Sequence, residues 1–255
     1  MHTVSAVIIT HNEEKNIGRC IEALQKVAEE IIIIDSFSTD ATPEICRRPG
    51  VKFLQQSWLG FGPQKNFGLQ QATHNFVLAL DADEVLTEKA ISVINELKKN
   101  GMQHVYEFPM VSYFFGRFLR HGQEYPKYVR RLFDKTKVQW DNKLVHETLI
   151  IPPEISVVRL HAELEHYSYH TIEQYVAKAN FYTTLGANEL YNKSKRVYFI
   201  KILFSPFFTF VNSCFFKLGF LDGWQGIVVA FLNAHTKFLK YIKLWELWRN
   251  KKILP

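Results

Sequence analysis

The chain reads as an α/β protein, with a mostly parallel sheet carrying helices on both faces and a helical, basic and aromatic region at its C-terminal end. Three observations predict this. Apolar, β-branched runs alternate with segments of helical period through roughly the first hundred residues. Three of those runs end in clusters of polar residues. Beyond Lys193 the chain turns basic and rich in phenylalanine.

The elements follow in order. Val4 to Thr10 suits a strand buried on both faces. Asn12 is expected to cap the next helix, with Glu13 and Glu14 in its first turn and Ile17, Ile21 and Leu24 at helical spacing. Ile31 to Ile34 is a second strand ending at Asp35, followed by a polar turn over Ser36 to Asp40. Thr42 to Arg47 gives a short helix and Val51 to Leu54 a third strand. Gly60-Phe61-Gly62-Pro63 opens a helix that includes Lys65 and Asn66. Phe76 to Leu80 is a fourth strand, closed by Asp81-Ala82-Asp83. Thr87 caps a helix with Ile91, Ile94 and Leu97 on one face and Gly101 past its end. Then the rhythm changes to short strands at Val105–Met110, Val129–Phe133 and Val138–Trp140. Thr171 and Gln174 form a capping box for a helix reaching about Asn192. A subdomain boundary is expected near Thr171 or Lys193.

Composition sets the bounds. The 255 residues are 47% hydrophobic and 22% charged, ordinary for a globular enzyme. Residues 1–150 carry 18 Lys/Arg and 18 Asp/Glu, so the net +6 falls wholly in the remainder. From Lys193 onward 11 basic residues face only Asp222 and Glu246, which predicts an anionic partner for the tail. Cys20, Cys46 and Cys214 have no C-x-x-C spacing and suggest buried thiols in a reducing compartment. No basic segment precedes an apolar stretch at the N-terminus, so no secretory signal is expected.

Asp81 and Asp83 emerge at the C-terminal end of a buried strand, the edge at which open α/β sheets bind ligands. Two acids on one short turn repel each other unless a cation lies between them. A divalent metal holding a phosphate-bearing substrate accounts for the pair; a solvated acidic turn is the plainer alternative. The clusters Thr10-His11-Asn12-Glu13, Asp35-Ser36-Phe37-Ser38-Thr39-Asp40 and Asp81-Ala82-Asp83-Glu84 all fall on that edge. A nucleotide fits, its base and ribose at the first two clusters and its phosphates at the third. Without G-x-G-x-x-G or a Walker-type loop, dinucleotide cofactors and P-loop ATP hydrolysis are disfavoured.

These clusters resemble the motifs of family 2 glycosyltransferases. Within that family the chain is similar to bacterial enzymes that glucosylate lipopolysaccharide core, also through Gln64-Lys65-Asn66-Phe67-Gly68, Arg130-Arg131-Leu132-Phe133, Val145-His146-Glu147 and Phe220-Leu221-Asp222-Gly223. The resemblance implies a GT-A fold and inverting transfer from a nucleotide-diphosphate sugar. It implies a catalytic domain over 1–192, with a nucleotide-sugar part to about residue 104 and an acceptor part beyond it. Thr10, Asn12 and Glu13 would line the nucleoside pocket and Asp35 would bind the base. Asp81 would reach the ribose or the metal, and Asp83 would ligate Mg²⁺ or Mn²⁺. His11 stands where Tyr is frequent and Phe37 where a small residue is frequent, so uridine is an expectation.

Charge then assigns further roles. Cleaving the bond to a diphosphate leaves negative charge that cations must meet. Lys65 and Arg131 are the candidates, Arg131 because its planar fork matches phosphate; the bland reading of each is a surface cation. Glu147 is the expected general base for the acceptor hydroxyl, with Asp141 and Glu84 as rivals and a salt-bridging loop acid as the alternative. His166 is a candidate further metal ligand, with His161 and His170 competing and a hydrogen-bonded core histidine as the ordinary reading.

The tail completes the expectation. Residues 199–220 hold eight Phe, but Ser205-Pro206 and Asn212-Ser213 interrupt the uncharged run of 15 between Lys201 and Lys217, against a simple span. From Gly226 onward, Ile227, Phe231, Phe238, Ile242 and Trp245 trace one helical face, and Asn233, Lys237, Lys240, Lys243 and Arg249 largely the other. That pattern fits a helix lying on an anionic leaflet; a core helix packed on the catalytic domain is the alternative. Residues 193–255 are therefore expected to dock the protein peripherally on the cytoplasmic membrane face, without nucleic acid. The leading function is a metal-dependent hexosyltransferase using a UDP-sugar and a lipid-linked or lipopolysaccharide-core acceptor. A sugar-nucleotide nucleotidyltransferase and a catalytically inactive membrane-associated binding protein are the alternatives.

Overall fold

The protein is described by a computed structural model covering residues 2–143 and 147–250. The chain forms two compact units, Met1–Met110 with Lys127–Tyr167, and Val111–Pro126 with Ser168–Pro255. The expected division at 192/193 falls inside the second unit, because the helix before it packs along the last helix of the chain.

In chain order the elements are β1 (Val4–Thr10), α1 (Ile17–Leu24), β2 (Glu30–Asp35), α2 (Thr42–Cys46), β3 (Val51–Gln55), α3 (Phe61–Gln71), β4 (Phe76–Asp81), β5 (Glu84–Leu86), α4 (Glu88–Asn100) and β6 (Val105–Phe114). There follow β7 (Arg117–Leu119), β8 (Lys127–Asp134), β9 (Gln139–Trp140), β10 (Leu149–Ile150), β11 (Val157–Arg159), β12 (Leu164–Tyr169), α5 (Ile172–Asn192), α6 (Phe199–Val211) and α7 (Gly223–Asn250). The main sheet runs β3-β2-β1-β4-β8-β6-β12-β5, its first four strands parallel and β8 antiparallel to β4. The order reverses at β1, so the C-terminal ends of β1 and β4 flank a topological switch point, where such sheets bind ligands.

Alternation along the strands builds both layers. Val4, Ala6 and Ile8 of β1 with Leu78 and Leu80 of β4 face α1 and α4 through Ile17, Ile21, Leu24, Ile91 and Ile94. Val7 and Ile9 with Val77 and Ala79 face the other way, onto Leu69 of α3, Phe133 and Trp140. Each enclosed aliphatic side chain contributes about 1.5–3 kcal/mol of transfer free energy. Thr87 caps α4 by accepting from Ala90 N, and the Thr171–Gln174 capping box starts α5, both as the sequence predicts.

Two local expectations are corrected. Asn12 does not cap α1: it lies in the left-handed region (φ 56°), and its Oδ1 accepts from Thr39 N at 2.8 Å, so it ties the first polar cluster to the second. Nor does every lysine of the expected polar face of α7 turn outward. Val229, Ala230, Leu232, Ala234 and Leu244 are buried, and Lys243 Nζ donates to Asn180 O, Asn180 Oδ1, Thr183 Oγ1 and Thr184 Oγ1 at 2.7–2.9 Å. Those bonds fasten α7 to α5 at Lys243, while Ile227 and Phe231 of the expected apolar face are 44% and 65% exposed. Asp222 of the Phe220–Gly223 motif is also structural: it accepts from His121 N (2.7 Å) and meets His121 Nδ1 at 3.0 Å. All three cysteines are buried and unpaired.

Candidate active site

Strand register puts the three polar clusters at one level: Thr10 pairs with Asp35, and Ile9 with Asp81. The sheet edge so formed receives Lys65 from α3, Arg131 from β8 and His166 from β12.

Helix α3 shows why its polar residues are where they are. Gly68 lets the helix lie against β1; a Cβ there would stand 2.5 Å from Val7 Cγ1. Asn66 is bonded both ways to the Trp140 backbone, Nδ2 to O at 2.8 Å and N to Oδ1 at 3.0 Å. Gln64 donates to Ser36 Oγ and Gln56 O. Lys65, only 4% exposed, is thereby aimed at Asp81 Oδ1 (2.9 Å) and Glu147 Oε1 (2.7 Å), above the Trp140 ring at 4.8 Å.

Arg131 is turned toward the acids rather than outward as a free phosphate-binding fork. Its Nε donates to Glu84 Oε2 at 2.7 Å, and its terminal nitrogen reaches Glu84 Oε1 and Asp81 Oδ2, the latter at 2.9 Å. Burial pushes the Asp81 carboxyl up, but Lys65 and Arg131 outweigh it and hold Asp81 below the ordinary aspartate range. For Glu84 burial wins: its carboxyl is raised despite Arg131, with Asp81 adding to the rise. The Arg131 guanidinium is likewise held above its usual value against burial, by Glu84 and then Asp81.

Asp83 takes a different partner. Its Oδ2 lies 3.1 Å from His166 Nε2, and its carbonyl accepts from Tyr167 N at 2.9 Å. Burial lowers the His166 imidazole, and Asp83 first among the neighbouring acids overcomes this and raises it. Of the rival histidines, His170 packs its ring on Tyr113 in the second unit, and His161 is exposed. Around this edge four carboxylates (Asp81, Asp83, Glu84 and Glu147) meet two permanent cations, a formal charge of −2 with His166 neutral.

The clusters expected to line a nucleoside pocket are tied to one another. Asp35 is fully enclosed and accepts from Ser38 N, Ser38 Oγ and Gln55 Nε2, so it organises the 36–40 loop, and direct contact with a base requires those bonds to open. Glu13 accepts from Asn16 Nδ2, while its amide donates to Thr42 Oγ1 at 2.8 Å. Phe37 is 53% exposed at φ 57°. Thr10 Oγ1, Gln64 Oε1, Asp81 Oδ1 and Trp140 Nε1 are buried without a hydrogen-bond partner among the described residues, although Asp81 Oδ1 stands in ion-pair range of Lys65. Orphaned polar atoms grouped along one edge point to a missing polar ligand.

Sequence reasoning brought forward every charged group of this edge but missed Trp140 beneath Lys65 and the Ser38–Gln55 grip on Asp35. A polar helix face turned inward was the available signal for Trp140. Val145 and His146 of the Val145–Glu147 motif lie outside the described residues. The acids Asp141 and Glu84, rivals of Glu147 as base, are both committed. Lys143 first, then Thr148, hold the Asp141 carboxyl down at about 2, and Glu84 is enclosed by Arg131.

The doubly flanked, mostly parallel sheet with its acid-tipped edge is an α/β fold in the GT-A arrangement. The model of glycosyl transferase family 2 matches residues 5–151. The lipopolysaccharide core biosynthesis glycosyltransferase LpsC of Rhizobium meliloti is 30% identical, over 91% of this chain and 90% of that one. An uncharacterized glycosyltransferase of Rickettsia bellii is 30% identical over 96% of this chain and 86% of its own length. Among solved structures, Staphylococcus aureus TarS 1–349 in complex with UDP-GlcNAc aligns with 98% of this chain and 92% of its own, at 16% identity and a TM-score of 0.48. The chain belongs to glycosyl transferase family 2 and is a glycosyltransferase.

Proposed function

We propose that the enzyme moves a hexose, with glucose the first to test, from a UDP-sugar to a lipopolysaccharide-core or lipid-linked acceptor, with inversion and with a divalent metal. The observation that carries this is the surplus of carboxylate at the end of β4. The site is net negative with His166 neutral or protonated and repels a diphosphate, so donor entry needs added positive charge. Resemblance to LpsC over nearly the whole chain supports the acceptor class.

The residues present fit such a metal. Adjacent ligands of an octahedral ion at about 2.1 Å lie about 3 Å apart. Asp83 Oδ2 and His166 Nε2 are 3.1 Å apart, and both side chains are partly open to solvent. No group of three or more such donors occurs among the described residues. The other positions of such an ion would fall to phosphate oxygens and water. Asp83 and His166 would hold the ion, and Asp81, already bound by Lys65 and Arg131, would contribute through its field. The ion would neutralise charge on the departing diphosphate.

The protein's own groups do the rest. Arg131 fixes Asp81 and Glu84, so the edge keeps its shape when charge arrives. Lys65 sits between Asp81 and Glu147 and can shift its ammonium toward a phosphate oxygen. That shift strips Glu147 of its counter-ion and leaves its Oε1 to take the acceptor hydroxyl proton. Trp140 walls one side of Lys65 against water.

The test is UDP release from a panel of UDP-sugars with lipopolysaccharide core present, with and without Mn²⁺, for wild type and Asp83→Ala. Metal-dependent release that Asp83→Ala abolishes is the expected result. Release indifferent to both metal and substitution overturns the metal reading. Absence of release with every sugar and acceptor, alongside normal UDP–Mn²⁺ binding, favours the inactive binding protein.

A further inference from the structure

We propose that the second unit carries a site for an anionic phospholipid, formed by the exposed face of α6 and a lysine cluster around Tyr241, through which the protein lies in the plane of one membrane leaflet. The argument uses nothing from the reaction chemistry and stands apart from it.

The apolar surface comes first. Helix α6 buries Ile202, and the turn after it buries Ser213 and Cys214. Its opposite side is open: Phe199, Leu203 and Phe207 form one row at i+4 spacing, and Ile200, Phe204 and Phe208 the neighbouring row, each 52–71% exposed. Phe215 and Phe216 continue it at 55% and 80%. Soluble surfaces rarely expose so many large apolar side chains together. Lipid tails are the environment that covers such a stripe without cost.

The charges come second. Lys201 of α6 and Lys237 and Lys240 of α7 each hold their ammonium 5.3–5.9 Å from the Tyr241 ring centre. No two of the three therefore lie more than about 12 Å apart. None has an ion-pair partner among the described residues. Three like charges gathered without a carboxylate repel one another and invite an anion. A groove of about 780 Å³ joins the two features, lined by Tyr198, Ile200, Lys201, Phe204, Phe208 and Lys237 among others. Its lysines suit a lipid phosphate and its aromatic walls suit the first methylenes of an acyl chain.

The geometry favours lying in the leaflet over crossing it. Phe199–Phe216 is long and apolar enough to span by length and composition, with mean hydropathy 1.5. Yet Lys201 and Pro206 interrupt it, and only one side is exposed while the other packs on α7. One-sided exposure is the mark of an interfacial helix. The commitment thus differs from the sequence expectation: α6 supplies the apolar stripe, and α7 contributes Lys237 and Lys240 to the phosphate side.

The experiment is co-sedimentation of the full chain with phosphatidylcholine vesicles, with and without phosphatidylglycerol. Three forms are compared: wild type, Lys201→Gln/Lys237→Gln, and Phe204→Ser/Phe208→Ser. Circular dichroism checks that all three are folded. Wild type is expected to bind the phosphatidylglycerol vesicles and to be released by alkaline carbonate. The charge variant should lose roughly tenfold or more in affinity, and the aromatic variant should lose binding to both vesicle types. Equal binding by all three forms overturns the proposal. So does retention after carbonate, which marks a span. Displacement by soluble glycerol phosphate with the aromatic variant unaffected also overturns it, as a free-phosphate site. Phenylalanine-dependent dimers in sedimentation velocity, with no vesicle binding, overturn it in favour of a second copy of the chain.

Discussion

Replacing Arg131 by Met isolates the charge arrangement from the catalysis it serves. The guanidinium is 7% exposed and satisfies both oxygens of Glu84, itself 1% exposed, and one oxygen of Asp81. Methionine fills much of the volume but leaves Glu84 buried with no cation. Breaking one side of a buried pair costs about 3–5 kcal/mol, which for a protein of this length is a fall in melting temperature of roughly 6–20 °C. The loss must depend on pH with a definite sign. Glu84 is already raised in the folded protein, and removing Arg131 raises it further. The variant's native state then keeps a proton that the unfolded chain has released. Its deficit relative to wild type should be smallest near or below the unfolded glutamate value of about 4.3 and should grow as pH rises through the raised native value. Thermal unfolding of both proteins from pH 4 to pH 8 reads this directly. Adding Glu84→Met in the same chain should recover half or more of the loss, since an apolar replacement of a buried pair is often tolerated. A deficit below about 1 kcal/mol, or one independent of pH, would refute the account of Arg131 as the counter-ion that keeps Glu84 charged.

Glu147→Gln should lower kcat by roughly 10²–10⁴ while the thermal shift given by UDP and Mn²⁺ stays near that of wild type; unchanged turnover removes Glu147 from the role of base. In wild type that shift should reach roughly 5–10 °C at a hundredfold excess over Kd, and Asp83→Asn should lose the Mn²⁺-dependent part while keeping its own folding midpoint. Gly68→Ala places a methyl 2.5 Å from Val7 Cγ1 and should cost about 1–3 kcal/mol by moving α3, with activity falling further than stability because Lys65 moves with the helix. Lys243→Met removes the donor shared by Asn180, Thr183 and Thr184 and should destabilise the second unit by about 1–3 kcal/mol, seen as earlier loss of helical circular dichroism.

The parallel half of the fold was readable because each of its strands is a continuous aliphatic run, and only burial on both faces explains such runs. The caps at Thr87 and Thr171 were equally legible, since each needs only a hydroxyl and the residue three positions on. What escaped was decided by partners far apart in sequence. Asn12 looks like a cap until Thr39, 27 residues later, offers it an amide. Arg131 looks like a phosphate fork until Glu84, 47 residues earlier, takes it bidentately. On α7 the lysines read as an outward face because nothing local reveals that the carbonyls and hydroxyls of α5 will meet Lys243. In each case the residue type announced a polar need, and the fold chose which group would meet it.

The two halves of the edge differ in how they are held, and the difference bears on order of events. Arg131 lies on β8, paired antiparallel with β4, and its guanidinium joins Asp81 at the end of β4 to Glu84 at the start of β5, a strand paired with β12. Lys65 is carried on α3, fixed through Asn66 to β9 and through Gly68 to β1, and it divides its single charge between Asp81 and Glu147. Asp83 and His166 meet at the turn at 3.1 Å, with both side chains partly open to water. Under the proposed function, a cation at this edge would meet donors open to water at Asp83 and His166, and a diphosphate would meet a lysine already beside Asp81. On that reading metal and donor binding would reinforce one another, and Glu147 would become an effective base only after both are in place. Substituting Lys65 by Met should then uncouple the steps: Mn²⁺ should still bind, UDP should bind more weakly, and turnover should fall more than either affinity. Equal losses in all three, measured by calorimetry and by UDP release on the same preparation, would show that Lys65 merely holds the site together.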